Sequence, residues 1–252
     1  MGKVILQDHW EFGALGVYNY RLTGDLEEYF KFIEENHQYI KGDICEIGVY
    51  KGHSLLSTAL FLKELGSDKK VFGFDSFAGF PAYHENDKLE KYDDLLDSNQ
   101  ISEEFYKKSQ LNQKHRSVVI EKELDASSIS TSGDFSNTSL ELVQRKIDYL
   151  HLDNITLVKG PFEETLNDDN LKTENFFASL IDCDLYLSYK QSLPFVWKRL
   201  NHGGYMFLDE YYSLKFPGAR IATNEFFADK ECKPQMHKMK DRDFQRWFVR
   251  KI

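Results

Sequence analysis

Cysteine is scarce in this sequence. Only three cysteines occur among 252 residues, Cys45, Cys183 and Cys232, and such an odd, widely spaced set builds no disulfide framework. Zinc binding is also disfavoured, because no C-x-x-C or H-x-x-x-H pattern occurs and the eight histidines are scattered. We therefore expect a cytoplasmic protein with reduced thiols and no zinc site.

Long apolar runs are missing as well. The most apolar stretch, residues 55–62, is interrupted by Ser57 and Thr58 and is far shorter than the about 20 residues that a membrane span needs. The apolar run near the start, Val4-Ile5-Leu6, ends after three residues, which argues against a signal peptide. We expect no membrane partner.

Positive charge is in deficit, since 32 lysines and arginines face 41 aspartates and glutamates, a net charge of −9. So acidic a chain lacks the basic surface that holds a nucleic-acid backbone, and we expect no nucleic-acid partner. The apolar fraction of 41% is nevertheless ordinary, and it suffices for a core at this length.

Short apolar segments alternate with amphipathic ones. The apolar segments predict strands at residues 43–48, 71–75, 155–158, 176–181, 205–208 and 247–251. Spacings of three and four residues predict helices at residues 25–40, 54–65, 139–150, 188–200 and 217–228, the first capped by Thr23 or Asp25. Strand, helix and strand in succession, with strands apolar on both faces, are typical of parallel sheets. We predict an α/β fold with a doubly wound, mostly parallel sheet.

The domain organisation is predicted to be simple. We expect one domain over residues 1–252, with a helical extension at about 1–41 and a polar insertion at about 82–132 after the second strand. Two interpretations of the insertion stay open: a solvated segment with some helix, or a lid that selects the substrate.

Candidate ligand-binding residues follow the first two strands, because ligands of such sheets bind beyond the carboxyl ends of the strands. The first loop has the pattern E-x-G-x-x-x-G, in which Gly48 and Gly52 allow close approach of the backbone to a ligand. Glu46 would repel a pyrophosphate and G-x-G-x-x-G is missing, which disfavours a nicotinamide cofactor. A ligand with a cationic group and a carboxylate, such as S-adenosylmethionine, suits this loop better. An ordinary turn with glycines used for packing is the alternative.

Asp75 ends the second predicted strand. An acid at this place can accept hydrogen bonds from two ribose hydroxyls. Alternatively, its side chain caps a turn or a helix.

Four acids follow two strands that we expect to be neighbours: Asp182, Asp184, Asp209 and Glu210. Carboxylates that are brought together repel one another unless a cation joins them, and oxygen-only ligands suit Mg²⁺ or Ca²⁺. Solvated acids or helix caps are the alternative.

Several motifs together resemble the macrocin O-methyltransferase (TylF/MycF-like) family. They are residues 42–54 (GDICEIGVYKGHS), 72–81 (FGFDSFAGFP), 133–135 (GDF), 158–166 (VKGPFEETL), 182–186 (DCDLY), 203–211 (GGYMFLDEY) and 217–227 (PGARIATNEFF). The motifs occur in the family's order, and D-S-F-x-G-x-P and D-x-D-L-Y are the more specific ones.

The resemblance implies a class I S-adenosylmethionine-dependent fold with seven strands, the last one antiparallel. It also implies Mg²⁺-assisted methyl transfer to a hydroxyl, commonly on a sugar of a glycosylated natural product. Carried over by position, Glu46, Gly48 and Ser54 would hold the methionine part, Asp75 the ribose, Gly160 and Phe162 the adenine, and Asp182, Asp209 and Glu210 the metal. Gly52, His53, Ser76 and Asp182 complete the expected cofactor-binding set. Asp184 would be the catalytic general base, with Asp182 as a second catalytic residue.

Two departures from the family pattern are visible. Glu210 stands where many relatives have a second aspartate, and the insertion is longer than expected. The acceptor that the resemblance implies is a small hydroxylated molecule that contains a sugar, and because of these departures we keep a catechol-like or amine acceptor as the first alternative. A catalytically degenerate binding or scaffold protein is the second. We also consider a homodimer.

Overall fold

The protein is built on one seven-stranded sheet, seen in a computed structural model that describes residues 6–22, 24–121, 123–167, 175–238 and 244–252. Its strands are β1 (Asp43–Ile47), β2 (Val71–Asp75), β3 (Ile155–Lys159), β4 (Phe176–Ile181), β5 (Leu200–Leu208), β6 (Gln235–Met236) and β7 (Trp247–Arg250), in the order β3-β2-β1-β4-β5-β7-β6. β7 runs antiparallel to both β5 and β6, and the other pairings are parallel. The predicted α/β fold is confirmed.

Helices cover both faces of the sheet. In the described ranges they are α1 (His9–Leu15), α2 (Glu27–Asn36), α3 (His53–Glu64), α4 (Lys91–Asp97), α5 (Glu103–Val119), α6 (Leu140–Tyr149), α7 (Phe162–Thr165), α8 (Tyr186–Arg199) and α9 (Gly218–Phe227). Single 3₁₀ turns occur at Glu85–Asp87 and Asp209–Tyr212. Among these residues, no helix has both the length and the apolar character to cross a membrane.

Of the two predicted caps of α2, the one that the structure describes does not cap the helix. The residue that precedes α2 is Leu26, so Asp25 does not cap the helix, and Thr23 lies outside the described residues. The Asp25 carboxylate instead binds Arg246 at 2.9 Å, because that guanidinium approaches it from the segment before β7.

Buried side chains lie on both faces of the sheet. Ile44 of β1 packs in one cluster with Leu55 and Leu56 of α3. Cys45, the next residue of β1, packs in a second cluster with Tyr189 of α8. Since successive residues of a strand point to opposite faces, β1 is covered from both sides, as the lack of a clean apolar–polar alternation predicts.

The insertion shares a small core with the rest of the molecule. Tyr92 of α4 and Phe105 of α5 are buried together with Phe216, which lies in the loop before α9. The insertion is therefore packed against the rest of the molecule, and the helix predicted within it is present. Whether it acts as a lid stays a prediction, as does the division of the chain into a domain, an extension and an insertion.

Arg220 ties the insertion to the sheet. Its buried guanidinium lies 4.1 Å from the ring centre of Tyr211, 5.1 Å from that of Phe105 and 5.7 Å from that of Trp247. It also donates hydrogen bonds of 3.0 Å to the carbonyl oxygens of Tyr211 and Gln100. A desolvated cation–π contact contributes up to about 2 kcal/mol. The insertion, α9 and β7 therefore meet at a single side chain.

Candidate active site

A cavity of about 790 Å³ lies beyond the carboxyl ends of the strands. Of the residues predicted to form the site, the following line it: Gly48, His53, Ser54, Asp75, Ser76, Phe162, Asp182, Asp184 and Asp209. The remaining four do not line it: Glu46, Gly52, Gly160 and Glu210. The structure thus brings together segments from the ends of all five parallel strands that the sequence analysis placed there.

Gly48 permits a close approach between the ends of β1 and β4. Its φ is +91°, and a Cβ at this position would lie 1.8 Å from the carbonyl oxygen of Asp182. No side chain fits there, because the contact is with backbone. Gly52, with a φ of +79°, then turns the chain into α3, which places His53 and Ser54 on the cavity wall.

Glu46 lies behind this loop and is fully buried. Its Oε1 accepts a hydrogen bond of 2.7 Å from the hydroxyl of Ser54, whereas Oε2 has no partner within the described residues. Burial raises the pKa of Glu46 to about 8, and the nearby charge of Asp75 adds to the rise. The carboxyl group is therefore mainly protonated at neutral pH.

Asp75 holds the loop that follows β1. Its Oδ2 accepts hydrogen bonds of 2.8 Å from the backbone N–H groups of Val49 and Tyr50, and Oδ1 accepts one of 2.6 Å from that of Phe77. Asp75 therefore caps a turn with its side chain, as the alternative interpretation expects. Since a carboxylate offers about four acceptor positions, capacity remains for a further donor from the cavity.

Gly160 and Phe162 follow β3 on the other side of Asp75. The N–H of Gly160 donates to the carbonyl oxygen of Asp75 at 3.0 Å. Its φ is +146°, and a Cβ would lie 2.9 Å from Cγ2 of Thr165. Phe162 begins α7 and faces the cavity, which places an aromatic ring at this end of it.

Three acids at the ends of β4 and β5 meet as predicted. Asp182, Asp209 and Glu210 each offer a carboxylate oxygen, and these oxygens lie within 4.8 Å of one another. Burial, and next the charge of Asp209, raises the pKa of Asp182 well above its usual range. Burial together with Glu210 likewise raises the pKa of Asp209 to about 6. The three acids therefore resist being ionised all at once.

Asp184 sits in a tight turn between β4 and α8. Its φ is +58°, and the N–H of Leu185 donates to the carbonyl oxygen of Cys183 at 2.6 Å. These are the marks of a γ-turn with a left-handed centre, which is rare for a residue other than glycine and costs about 1–3 kcal/mol. Burial raises the pKa of Asp184, and Glu210 raises it further.

Two cations near the acids were not predicted. Burial lowers the pKa of Lys215, but the surrounding carboxylates, Glu210 first, raise it by more. Arg246 lines the cavity, with Nη1 3.7 Å from Oδ1 of Asp209 and Nη2 2.9 Å from Oδ2 of Asp25. No motif marks either cation, since both belong to loops whose course depends on the tertiary fold.

The extension and the region around the insertion also reach the cavity. Tyr18 and Leu26 line it from the N-terminal side, and Phe80, Pro81 and Phe135 line it from the segments that flank the insertion. The rings of Phe80 and Phe135 lie 4.9 Å apart. These residues form a mainly apolar wall. Phe80, Pro81 and Phe135 belong to motifs of the family resemblance, whereas Tyr18 and Leu26 were not among the predicted site residues.

Comparison with known proteins places the fold. No curated protein gives a significant sequence match. Among solved structures, the chain is similar to the O-methyltransferase NovP, with a TM-score of 0.61 and 18% identity over 89% of this chain and 80% of that one. It is also similar to CalS11, a calicheamicin methyltransferase, with a TM-score of 0.59 and 18% identity over 89% and 76%. An apo structure of CalS11, described as a TDP-rhamnose 3′-O-methyltransferase, gives 0.54 and 16% over 96% and 92%.

At identities of 16–18% these structural similarities establish the fold alone, whereas a match to a sequence profile establishes the family. The profile of the macrocin-O-methyltransferase (TylF) family matches residues 17–119 and 121–250, almost the whole chain. This match confirms the predicted resemblance: the chain belongs to the macrocin-O-methyltransferase (TylF) family and is an O-methyltransferase.

Proposed function

We propose that this protein transfers a methyl group from S-adenosylmethionine to a hydroxyl of a sugar or a glycosylated natural product, with help from a divalent cation. The observation that carries the proposal is the cavity, in which a glycine loop from β1 faces the acids that follow β4 and β5. One side suits a small cationic cofactor, and the other suits a hydroxylated acceptor.

Similar proteins support the acceptor class. NovP is described as an O-methyltransferase, and CalS11 is described as acting on TDP-rhamnose in calicheamicin biosynthesis. The family profile is likewise named for a macrocin methyltransferase. A sugar hydroxyl is therefore the acceptor that we propose, ahead of a catechol-like or amine group.

The cofactor would lie along the ends of β1, β2 and β3. We assign the methionine part to the loop of Glu46, Gly48, Gly52, His53 and Ser54, the ribose to Asp75 and Ser76, and the adenine to Gly160 and Phe162. Glu46 itself does not line the cavity, and its hydrogen bond with the hydroxyl of Ser54 would hold Ser54 at the cavity wall. When bound, S-adenosylmethionine supplies the methyl group on a sulfonium ion.

Asp182, Asp209 and Glu210 would hold the divalent cation. The 4.8 Å within which their oxygens lie is close to the about 4–5 Å between opposite ligands of one Mg²⁺ or Ca²⁺ ion. A bound Mg²⁺ supplies Lewis-acid chemistry, which lowers the pKa of an acceptor hydroxyl. Burial first, and then the neighbouring carboxylates, raise the pKa values of Asp182 and Asp209, and a cation bound between these acids would offset both effects.

Asp184 would act as the general base. Its carboxylate faces the cavity from its turn, next to the proposed metal ligands. In the transfer, the acceptor oxygen forms a bond to the methyl carbon, the carbon–sulfur bond breaks, and the hydroxyl proton passes to Asp184. The charge of Lys215 opposes the rise in the pKa of Asp184 and so favours the ionised form that a general base needs.

Binding and turnover test the proposal in that order. Isothermal titration with S-adenosylmethionine, with and without MgCl₂, should show one site. Methyl transfer is then measured with TDP-rhamnose and a panel of free sugars, a catechol and an aromatic amine, each with and without EDTA. We expect methylation of a sugar that EDTA abolishes and MgCl₂ restores. Absence of cofactor binding would overturn the function, and EDTA-resistant methylation of the amine would replace the acceptor.

Three substitutions test the assigned roles. Asp182→Asn and Asp209→Asn should abolish Mg²⁺-dependent turnover and leave cofactor affinity largely unchanged, whereas Asp184→Asn should lower kcat about 100-fold or more with unchanged Mg²⁺ affinity. Asp153→Asn, an exposed acid outside the cavity, is the control. Equal loss of cofactor affinity in the first two variants would contradict the metal assignment. A wild-type rate in the third would remove Asp184 as the base.

A further inference from the structure

A carboxylate of the insertion contacts the turn that holds Asp184. Asp87 is fully buried, and its Oδ1 accepts a hydrogen bond of 2.8 Å from the backbone N–H of Tyr186, the first residue of α8. Its Oδ2 accepts one of 2.9 Å from the N–H of His84. The N–H groups in the first turn of a helix have no partner within the helix, and a negative charge there is favourable. Asp87 therefore fixes the start of α8 from outside.

Neighbouring side chains hold the same contact in place. The ring of His84 stacks on that of Tyr186, with ring centres 4.6 Å apart and an angle of 20° between the planes. Gly218 begins α9 beside the carboxylate, where a Cβ would lie 2.1 Å from Oδ1 of Asp87. Only glycine leaves room for the acid at this point, so the segment His84–Asp87 is packed tightly between α8 and α9.

Asp184 lies two residues before the N–H that Asp87 binds. The positive φ of Asp184 is unfavourable for a residue other than glycine. It therefore persists only where the neighbouring residues on both sides are fixed by the surrounding structure. On one side the chain continues from β4, in the middle of the sheet. On the other side it enters α8, whose first residue is bound by the insertion.

We propose that Asp87 is a positioning residue for catalysis: by binding the N–H of Tyr186, it holds the turn that presents Asp184 to the cavity. The insertion is then part of the catalytic machinery, although Asp87 itself does not line the cavity. This inference rests on the base role proposed for Asp184.

The test compares Asp87→Ala with Asp87→Asn. With TDP-rhamnose, or the panel acceptor that the wild type methylates, Asp87→Ala should lower kcat about 10- to 100-fold, since a small displacement of a catalytic group costs this much. The KM for S-adenosylmethionine should stay within about twofold. Asp87→Asn keeps an oxygen for the N–H of Tyr186, so it should recover most of kcat. Hydrogen exchange at the Tyr186 amide should be about 10-fold faster in Asp87→Ala than in wild type.

Leu95→Ala is the matched control. Leu95 is buried in the insertion, so its truncation loosens the same region and leaves the hydrogen bond of Asp87 to Tyr186 in place. The inference is overturned if Asp87→Ala lowers kcat no more than Leu95→Ala does, or if exchange at the Tyr186 amide does not change. A wild-type rate in Asp184→Asn would instead refute the base, and amide exchange would then still decide whether Asp87 holds the turn.

Discussion

At the scale of single residues, the buried carboxyl of Glu46 links the stability of the fold to pH. Its pKa is about 8 in the folded protein, against about 4.5 for an exposed glutamate. The folded state therefore holds a proton that the unfolded state loses as the pH rises above about 4.5. The contribution of Glu46 to stability is full below that pH and falls between about pH 4.5 and 8, by up to about 5 kcal/mol.

Glu46→Gln should remove this dependence. Glutamine is neutral at every pH and keeps an oxygen for Ser54, so the free energy of unfolding of the variant should rise relative to wild type from pH 5 to pH 8. Urea unfolding at each pH measures the difference, and Glu123→Gln, at an exposed position, is the control. Parallel profiles for Glu46→Gln and wild type would contradict the raised pKa.

Gly48 makes a steric prediction. In Gly48→Ala the new methyl group would overlap the carbonyl oxygen of Asp182, so unfolding should be easier by about 3 kcal/mol or more, and cofactor binding should be lost. Gly66→Ala is matched, because Gly66 also has a positive φ, +65°, but open space around it, and it should cost only about 1–2 kcal/mol. Equal losses in the two variants, measured by urea unfolding, would show that the contact with Asp182 is unimportant.

That the residues at the strand ends lie close together could be predicted from the sequence, because the carboxyl ends of parallel strands meet at one edge of the sheet. Gly48, Asp75, Asp182 and Asp209 line one cavity for that reason. The contact of Asp87 with Tyr186 was not readable, because it spans 99 positions and no local pattern marks it.

At the scale of secondary-structure elements, strands made of mainly apolar residues were easier to predict than strands that are short or that begin with polar residues. β2 and β4 have the predicted bounds, because each is a mainly apolar segment between polar residues. β5 begins at Leu200 rather than at residue 205, and its pairing with β4 shifts register between Phe176 and Ala178. The first part of β5 was not predicted, because its polar residues and glycines interrupt the apolar pattern. β6 has only two residues and is defined by its pairing with β7, so it is too short to show an apolar pattern in the sequence.

The helix α5 offers an element-scale test of local capping. Its polar sequence shows little apolar periodicity, and it begins after Ser102, whose hydroxyl accepts a hydrogen bond of 3.2 Å from the N–H of Phe105. Ser102→Ala should therefore lower the free energy of unfolding by about 1 kcal/mol. Ser117→Ala, at an exposed position inside the same helix, should be neutral or slightly stabilising. Thermal unfolding measures both, and equal effects would mean that the cap contributes nothing.

At the scale of the whole molecule, the fold class and the family were predictable, whereas the assembly was not. The mostly parallel sheet follows from the succession of strands and helices, and the structure confirms the seven strands and the antiparallel last strand that the resemblance implies. The homodimer, the cytoplasmic location and the domain division stay predictions, because they depend on surfaces and partners rather than on the periodicity of one chain.

A cation that binds the folded state should stabilise the whole molecule. At a concentration 100 times the dissociation constant, MgCl₂ should add about 2.7 kcal/mol to the free energy of unfolding. Asp209→Asn should abolish this gain, and it should be more stable than wild type in EDTA, because it removes one charge from a repelling cluster. Sodium chloride at matched ionic strength is the control, and an equal gain with that salt would contradict a specific site.

The position of Arg220 should affect the fluorescence of a neighbouring tryptophan. Trp247 lies beside this guanidinium and beside Tyr211, so the surroundings of its indole depend on the place where the insertion joins the sheet. Of the other tryptophans, Trp10 is largely exposed and Trp197 packs edge to face on Phe227, without a contact to Arg220 among the described cation–ring contacts. Detachment of the insertion would therefore change the emission of one tryptophan selectively. The protein carries an intrinsic fluorophore with which the motion of this segment can be followed in real time, without a label.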